Sequence, residues 1–252
     1  MSRLQQIFSR QQKALIIFDS CGYPTMAESE ERLEKIISGG ADILELGVPF
    51  SDPMADGPVI QKASQIALAQ GATLQKILDM AKRIRARHPE TGLVLFGYYN
   101  IFLQYGLEKL AAELKDIGID GILIVDLPYE EREEFLPYSD GIDLIPLIGP
   151  STDIERAKKL MSNAGGFAYC ITVRGVTGER KELPPELTER LRDLREACDL
   201  PVAAGFGISD PETAAMVAKN ADAIVIGSAV VKLPTAEVEN FVSSVKSALT
   251  KI

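Results

Sequence analysis

Eight apolar strand-like runs, each followed by a helical segment, predict an α/β fold of the (βα)8 TIM-barrel class, a single domain over residues 1–252. Two further observations point the same way. The runs are continuously apolar, as strands covered by helices are. The length of 252 residues suits one such barrel, and no Pro/Ser-rich linker or low-complexity segment divides it. An open doubly wound sheet is the alternative, but no GxGxxG follows the first run.

The first strand is read over Ala14 to Phe18. The helix Ala27 to Gly39 follows, with Leu33, Ile36 and Ile37 on one face and Gly39-Gly40 as its stop. Asp42 to Leu46 is the second strand, and the helices Pro58 to Gln70 and Thr73 to Arg87 join at Gly71. Leu93 to Gly97 is the third strand and Tyr105 to Ile117 its helix. Gly121 to Val125 is the fourth, with a short acidic helix over Glu130 to Tyr138. Leu144 to Ile148 is the fifth, before the helix Asp153 to Asn163. Phe167 to Val173 is the sixth, before a polar loop and the helix Pro185 to Cys198. Pro201 to Ala204 is the seventh, with the helix Pro211 to Asn220. Ala223 to Ile226 is the eighth, and the helix Thr235 to Leu249 closes the chain.

Composition narrows the function classes. The chain is 46% hydrophobic and 25% charged, with a formal net charge of −9. That balance argues against nonspecific binding to nucleic acid or to an anionic membrane. Cys21, Cys170 and Cys198 are scattered, with no CxxC pair, so neither a disulfide framework nor a zinc site is indicated. His88, the one histidine, precedes Pro89 at an expected helix end, which speaks against a His-based triad or metal site. No apolar leader core and no run of transmembrane length is present, so a soluble cytoplasmic protein is expected.

The stretch Leu44 to Gln61 organises the rest. Glu45 lies among Ile43, Leu44 and Leu46, inside an apolar strand. Gly47 ends that strand, Pro49 and Pro53 exclude regular structure, and Asp56-Gly57-Pro58 opens a helix. A buried carboxylate costs several kcal/mol unless it is paired, hydrogen-bonded or protonated. Strand alternation turns Glu45 into the barrel while Leu44 and Leu46 face the helices. Glu45 is therefore a candidate proton carrier; its other reading is a structural acid capping loop amides. Asp56 is a second candidate, with the helix N-cap as its ordinary role.

In a barrel, reacting groups cluster at the C-terminal ends of the strands. There the sequence places Asp19-Ser20-Cys21-Gly22, Tyr98-Tyr99-Asn100, Asp126 and Tyr169. It also places three glycine loops there: Gly175-Val176-Thr177-Gly178, Gly205-Phe206-Gly207 and Gly227-Ser228. Each could be a plain tight turn, but three in adjacent barrel positions predict a phosphate pocket and a small phosphorylated substrate.

These residues resemble a known family. Leu44 to Gly57 fits the signature of the tryptophan synthase alpha chain position by position. The three glycine loops, Gly22-Tyr23-Pro24 and Tyr98-Tyr99-Asn100 resemble its other motifs in the right order, over nearly the whole chain. The resemblance implies a lyase that cleaves indole-3-glycerol phosphate to indole and glyceraldehyde 3-phosphate. It implies an α2β2 complex with a pyridoxal-phosphate beta chain that receives the indole, and no cofactor or metal on this chain. It places Glu45 and Asp56 on the catalytic carboxylates and Tyr169 on an active-site tyrosine. Phe18, Leu123 and Phe206 fall on the indole pocket, and Gly178, Gly207, Gly227 and Ser228 on phosphate contacts. Pro49 and Asp52 fall in the loop facing the beta chain. A free-standing indole-releasing lyase and a weakly active regulator of the beta chain are the alternatives.

The sequence departs from the family pattern at Ile17-Phe18-Asp19-Ser20, where Asp19 is expected to add a third acid near the pocket. It departs also at Ile101, and at Val173, where an Arg is usual and Arg174 follows one place later.

Overall fold

The computed structural model describes residues 2–10, 12–171, 185–197, 199–205 and 207–252. Among these, nine parallel strands form one sheet: β1 (Ala14–Ser20), β2 (Ile43–Gly47), β3 (Gly92–Gly97), β4 (Gly121–Ile124), β5 (Asp143–Leu144), β6 (Leu147–Ile148), β7 (Ala168–Ile171), β8 (Val202–Gly205) and β9 (Ala223–Ile226). Their order is β5-β4-β3-β2-β1-β9-β8-β7-β6. The expected fifth strand is therefore two. Pro146 has no N–H, so the ladder stops there. The Ile145 N–H still donates to the Ile122 carbonyl (2.9 Å), and the Pro146 carbonyl accepts from Tyr169 N–H (2.9 Å). The chain thus passes its pairing from β4 to β7 and closes the ring itself.

Around the ring run the helices α2 (Met26–Ser38), α3 (Pro58–Ala69), α4 (Leu74–Arg87), α5 (Tyr99–Tyr105), α6 (Leu107–Ile117), α7 (Ile154–Met161), α8 (Pro185–Ala197), α9 (Pro211–Ala218), α10 (Ser228–Val231) and α11 (Thr235–Leu249), after an N-terminal α1 (Arg3–Ser9). Thr25, Thr73, Asp153 and Asp210 cap α2, α4, α7 and α9 through side-chain oxygens. The expected acidic helix is two 3-10 turns, Tyr129–Glu134 and Leu136–Tyr138, split ahead of Pro137. α5 stands where a loop is expected; Asp126 holds its first N–H, from Tyr99, at 2.7 Å.

Strand alternation builds two cores. Leu15, Ile17, Leu44, Leu46, Leu93 and Leu95 face the helix layer. Ile16, Ile43, Val94, Leu123, Ile145, Phe167 and Val225 fill the barrel interior. α1, which the sequence reading leaves unassigned, joins that interior: Leu4 and Ile7 are buried in it, and Phe8 meets the Phe167 ring at 5.7 Å. Gly92, Gly121 and Gly166 make room, since a Cβ at Gly92 or Gly166 would lie 3.0 Å from Leu4. The N-terminal mouth is thereby plugged, and the cavity described next opens at the other end. Among the described residues no helix is long and apolar enough to cross a membrane.

Candidate active site

A cavity of about 440 Å³ opens at the C-terminal ends of the strands. Glu45 lies on its wall, fully buried, and among the described residues neither carboxyl oxygen has a hydrogen-bond partner. Burial pushes its pKa up to about 8. The cause is the low polarity of its surroundings, which disfavours the charged form. β2 explains the placement: Leu44 and Leu46 pack on the helices, so Glu45 between them points inward.

Asp56 stands on the same wall, at the end of the irregular segment after β2. It does not cap α3. Gly57 is the N-cap residue, without a side-chain bond, and Pro58 occupies the first turn. The Asp56 carboxylate accepts a hydrogen bond from the Tyr98 hydroxyl at 3.0 Å. Burial raises its pKa and the Tyr98 bond opposes that rise. Tyr98 also accepts from Ala55 N–H at 3.1 Å and stacks on Phe50, with centroids 5.0 Å apart. One tyrosine just past β3 thus ties down the segment that carries Asp56. Its role was not drawn from the sequence; its place directly after Gly97, at a strand end, was the available signal.

Tyr169 projects inward from β7 onto the cavity wall. Gly205 gives its ring space, for a Cβ there would sit 2.6 Å from the hydroxyl oxygen. Burial and the nearby Glu45 raise its pKa. Phe18 and Phe96 meet edge to face at 5.0 Å and, with Val125 and Leu147, form an apolar slot. Gly207, Gly227, Ser228 and Lys232 lie on the wall as well. Gly207 has φ +84°, in the left-handed region that favours glycine.

A model of the family described as "Tryptophan synthase alpha chain" matches residues 4–251. The chain belongs to the tryptophan synthase alpha chain family. The alpha chain of Geobacter sulfurreducens is 46% identical over 263 residues, 99% of each chain. That of Burkholderia mallei is 41% identical, covering 99% of this chain and 97% of its own length. Tryptophan synthase subunit alpha from Legionella pneumophila superposes with a TM-score of 0.91 at 32% identity over 100% of both chains. Tryptophan synthase from M. tuberculosis in its aminoacrylate-bound form aligns at 0.89 and 28% identity, over 99% of this chain and 100% of the matched chain.

The residues that the family resemblance singles out do not all gather at the cavity. Phe18, Glu45, Asp56, Tyr169, Gly207, Gly227 and Ser228 line it. Leu123 does not: it is fully buried among the interior apolar residues, and Val125, the next inward residue on the same strand path, takes the wall position. Gly178, Phe206, Val173 and Arg174 lie outside the described residues. Asp52 is exposed, but Pro49 is buried, so in the loop expected to face a beta chain the large outward apolar residue is Met54, 84% exposed. Asp19 is not a third acid of the pocket. Phe18 points inward, so its neighbour points to the helix layer, where Asp19 binds the Arg32 guanidinium at 2.8 Å.

Lys232 is a cationic wall residue that sequence reasoning missed. It lies one helical turn beyond Ser228, at the end of α10, so both share a face. It is also the only cation between Asn220 and Lys246, a signal that was readable.

Proposed function

We propose that Glu45 and Asp56 carry the carbon–carbon cleavage by which this family converts indole-3-glycerol phosphate to indole and glyceraldehyde 3-phosphate. The chain is the alpha subunit of tryptophan synthase, a lyase of tryptophan biosynthesis that works with a beta chain in an α2β2 complex. Neither a free-standing indole-releasing lyase nor a weakly active regulator of the beta chain is favoured.

The observation that carries the roles is Glu45: buried, unpartnered among the described residues, and with a pKa of about 8. At neutral pH it holds a proton and sits close to the pKa at which one group can both give and take. It protonates the indole ring carbon that bears the glycerol chain, which makes an indoleninium cation. The resulting Glu45 carboxylate takes the proton of the adjacent glycerol hydroxyl. That oxygen's electrons form the aldehyde carbonyl, and the carbon–carbon bond breaks. Its pair flows to the ring nitrogen and restores indole, so Glu45 ends protonated as it began. Asp56 accepts the ring N–H as a carboxylate and stabilises the cation. The Tyr98 bond favours that charged form.

Tyr169 lies against the reacting end. The Phe18–Phe96 slot takes the indole ring, and Gly207, Gly227, Ser228 and Lys232 take the phosphate; the family resemblance assigns Phe206 to the indole pocket and Gly178 to the phosphate. Asp52 and the exposed Met54 face the beta chain. A single-domain chain in the cytoplasm completes the reading. The test is indole release by Glu45→Gln and Asp56→Asn, with and without the beta chain. A fall of roughly 10²–10⁴ in turnover for Glu45→Gln supports it. Turnover close to the parent's removes Glu45 from the chemistry.

A further inference from the structure

Asp19 and Arg32 are each 1% exposed, and no step of the cleavage uses them. Arg32 lies on the buried face of α2 with Ser29, Leu33 and Ile36. Its Nε donates to Asp19 at 2.8 Å and one terminal nitrogen donates to the second Asp19 oxygen at 3.2 Å. That leaves donors in the plane of the guanidinium pointing away from β1. They are taken by two backbone carbonyls: Val230 at 2.9 Å and Leu233 at 2.8 Å.

Both carbonyls belong to the segment that starts at Gly227 and carries Ser228 and Lys232. α10 has four residues, too few to hold itself in water, so its position is set by tertiary contacts. β1 supplies them on both of its faces. On the inner face, the Phe18 ring lies 3.3 Å from where a Gly227 Cβ would be. On the outer face, Asp19 orients Arg32, which grips the far end of the same segment. A lysine could reach one carbonyl as a point charge, but it could not hold a carboxylate and two carbonyls in one plane.

We infer that the Asp19–Arg32 pair is a positioning device for the segment Gly227–Leu233, setting affinity for the phosphate end of the substrate. The inference rests on the reading of Gly227 and Ser228 as phosphate contacts. Replacing a buried ion pair by apolar residues of similar volume leaves folding stability nearly level. A purely structural pair, replaced in that way, therefore has no binding signature. A positioning pair does.

The test uses the α2β2 complex with Asp19→Val/Arg32→Leu and, separately, Arg32→Lys. Kd for inorganic phosphate is measured by calorimetry on the complex and Kd for indole on the alpha chain alone, because the beta chain also takes indole, and kcat and KM are measured with indole-3-glycerol phosphate. Loss of charge-assisted contacts to the segment is expected to weaken phosphate Kd and raise KM about tenfold in the double variant, with kcat within about twofold. Indole Kd stays put, and Arg32→Lys moves phosphate Kd in the same direction by less. Phosphate Kd equal to the parent's in folded variants, or equal losses for phosphate and indole, overturns the inference. Arg32→Lys keeps the charge beside Asp19, so it decides the matter if the double variant does not fold. Ser228→Asp separates the two readings. If it leaves phosphate binding intact, the phosphate assignment falls. If it abolishes binding while the pair variants bind as the parent does, only the positioning role falls.

Discussion

Asp19 and Glu45 sit on neighbouring strands, one residue out of register, and both are shut off from water. Asp19 faces the helix layer and accepts two bonds from Arg32. Glu45 faces the barrel interior and, among the described residues, accepts none. Burial raises the pKa of both, but for Asp19 the guanidinium works against it. The same residue chemistry at the same depth thus yields a structural anchor on one side of the barrel wall and, on the other, an unpartnered acid with a raised pKa, the group proposed to carry the proton. What differs is whether the fold supplies a partner. The two sides should therefore respond to mutation with opposite signs.

Glu45→Gln is expected to give the largest effect on function, a loss of roughly 10²–10⁴ in indole release. Stability should move the other way. With a folded pKa of about 8 against 4.5 for the free group, the native state binds more protons than the unfolded chain between those values. The parent therefore loses stability as pH rises through that window, and Glu45→Gln does not. The variant's advantage in unfolding free energy should be absent near pH 4, grow to the order of a few kcal/mol by pH 8, and level off beyond, with its melting temperature following the same course. The parent's kcat/KM should also fall above about pH 8, as the acid loses its proton. A variant that melts below the parent at pH 8 and keeps its turnover would make Glu45 structural.

Arg32→Ala tests the opposite face. It leaves Asp19 buried without its cation, which costs about 3–5 kcal/mol. A melting temperature lowered by roughly 10 °C is expected. A melt within a degree or two of the parent would mean that the two faces do not differ.

Asp56→Asn sharpens the comparison at the pocket. The Tyr98 hydroxyl can still donate to the amide oxygen, so the melt should barely change. Turnover should fall about 10²-fold, because a neutral amide stabilises the cationic ring poorly. Turnover within a factor of two would take Asp56 out of the mechanism. Tyr98→Phe should do least. It removes one donor to Asp56 and one acceptor for Ala55, worth about 1 kcal/mol each. A modest rise in KM and a pH profile shifted upward on its acidic limb are expected. An unchanged profile would show that Tyr98 does not hold Asp56 ionised.

Several features were legible because they are local. Gly, Pro and capping residues punctuate the chain, and β9 and α11 have the bounds read from sequence. The inward direction of Glu45 followed from alternation alone. Others left a signal that was passed over. Ser2 and Gln5 form a capping box that announces α1. Arg32 occupies the apolar stripe of α2, where an unpaired cation would be costly. Helix α5 was hidden by aromatic and Asn residues of weak helix propensity.

By itself, the sequence determined the alternating order of strands and helices, the parallel ring, and a carboxylate in an apolar strand. These follow from hydrophobic period and from the φ and hydrogen-bond restrictions of Pro and Gly, which act within a few residues. Only the tertiary structure decided that Asp56 bonds Tyr98 rather than caps α3, and that Val125 replaces Leu123 on the wall. It alone decided that Asp19 anchors Arg32 instead of joining the pocket. The physical reason is that a side chain's charge state and role depend on the groups opposite it. Those groups arrive from strands and helices far along the chain: Tyr98 is 42 residues from Asp56 and Leu233 is 201 from Arg32. No local pattern encodes which of them will meet.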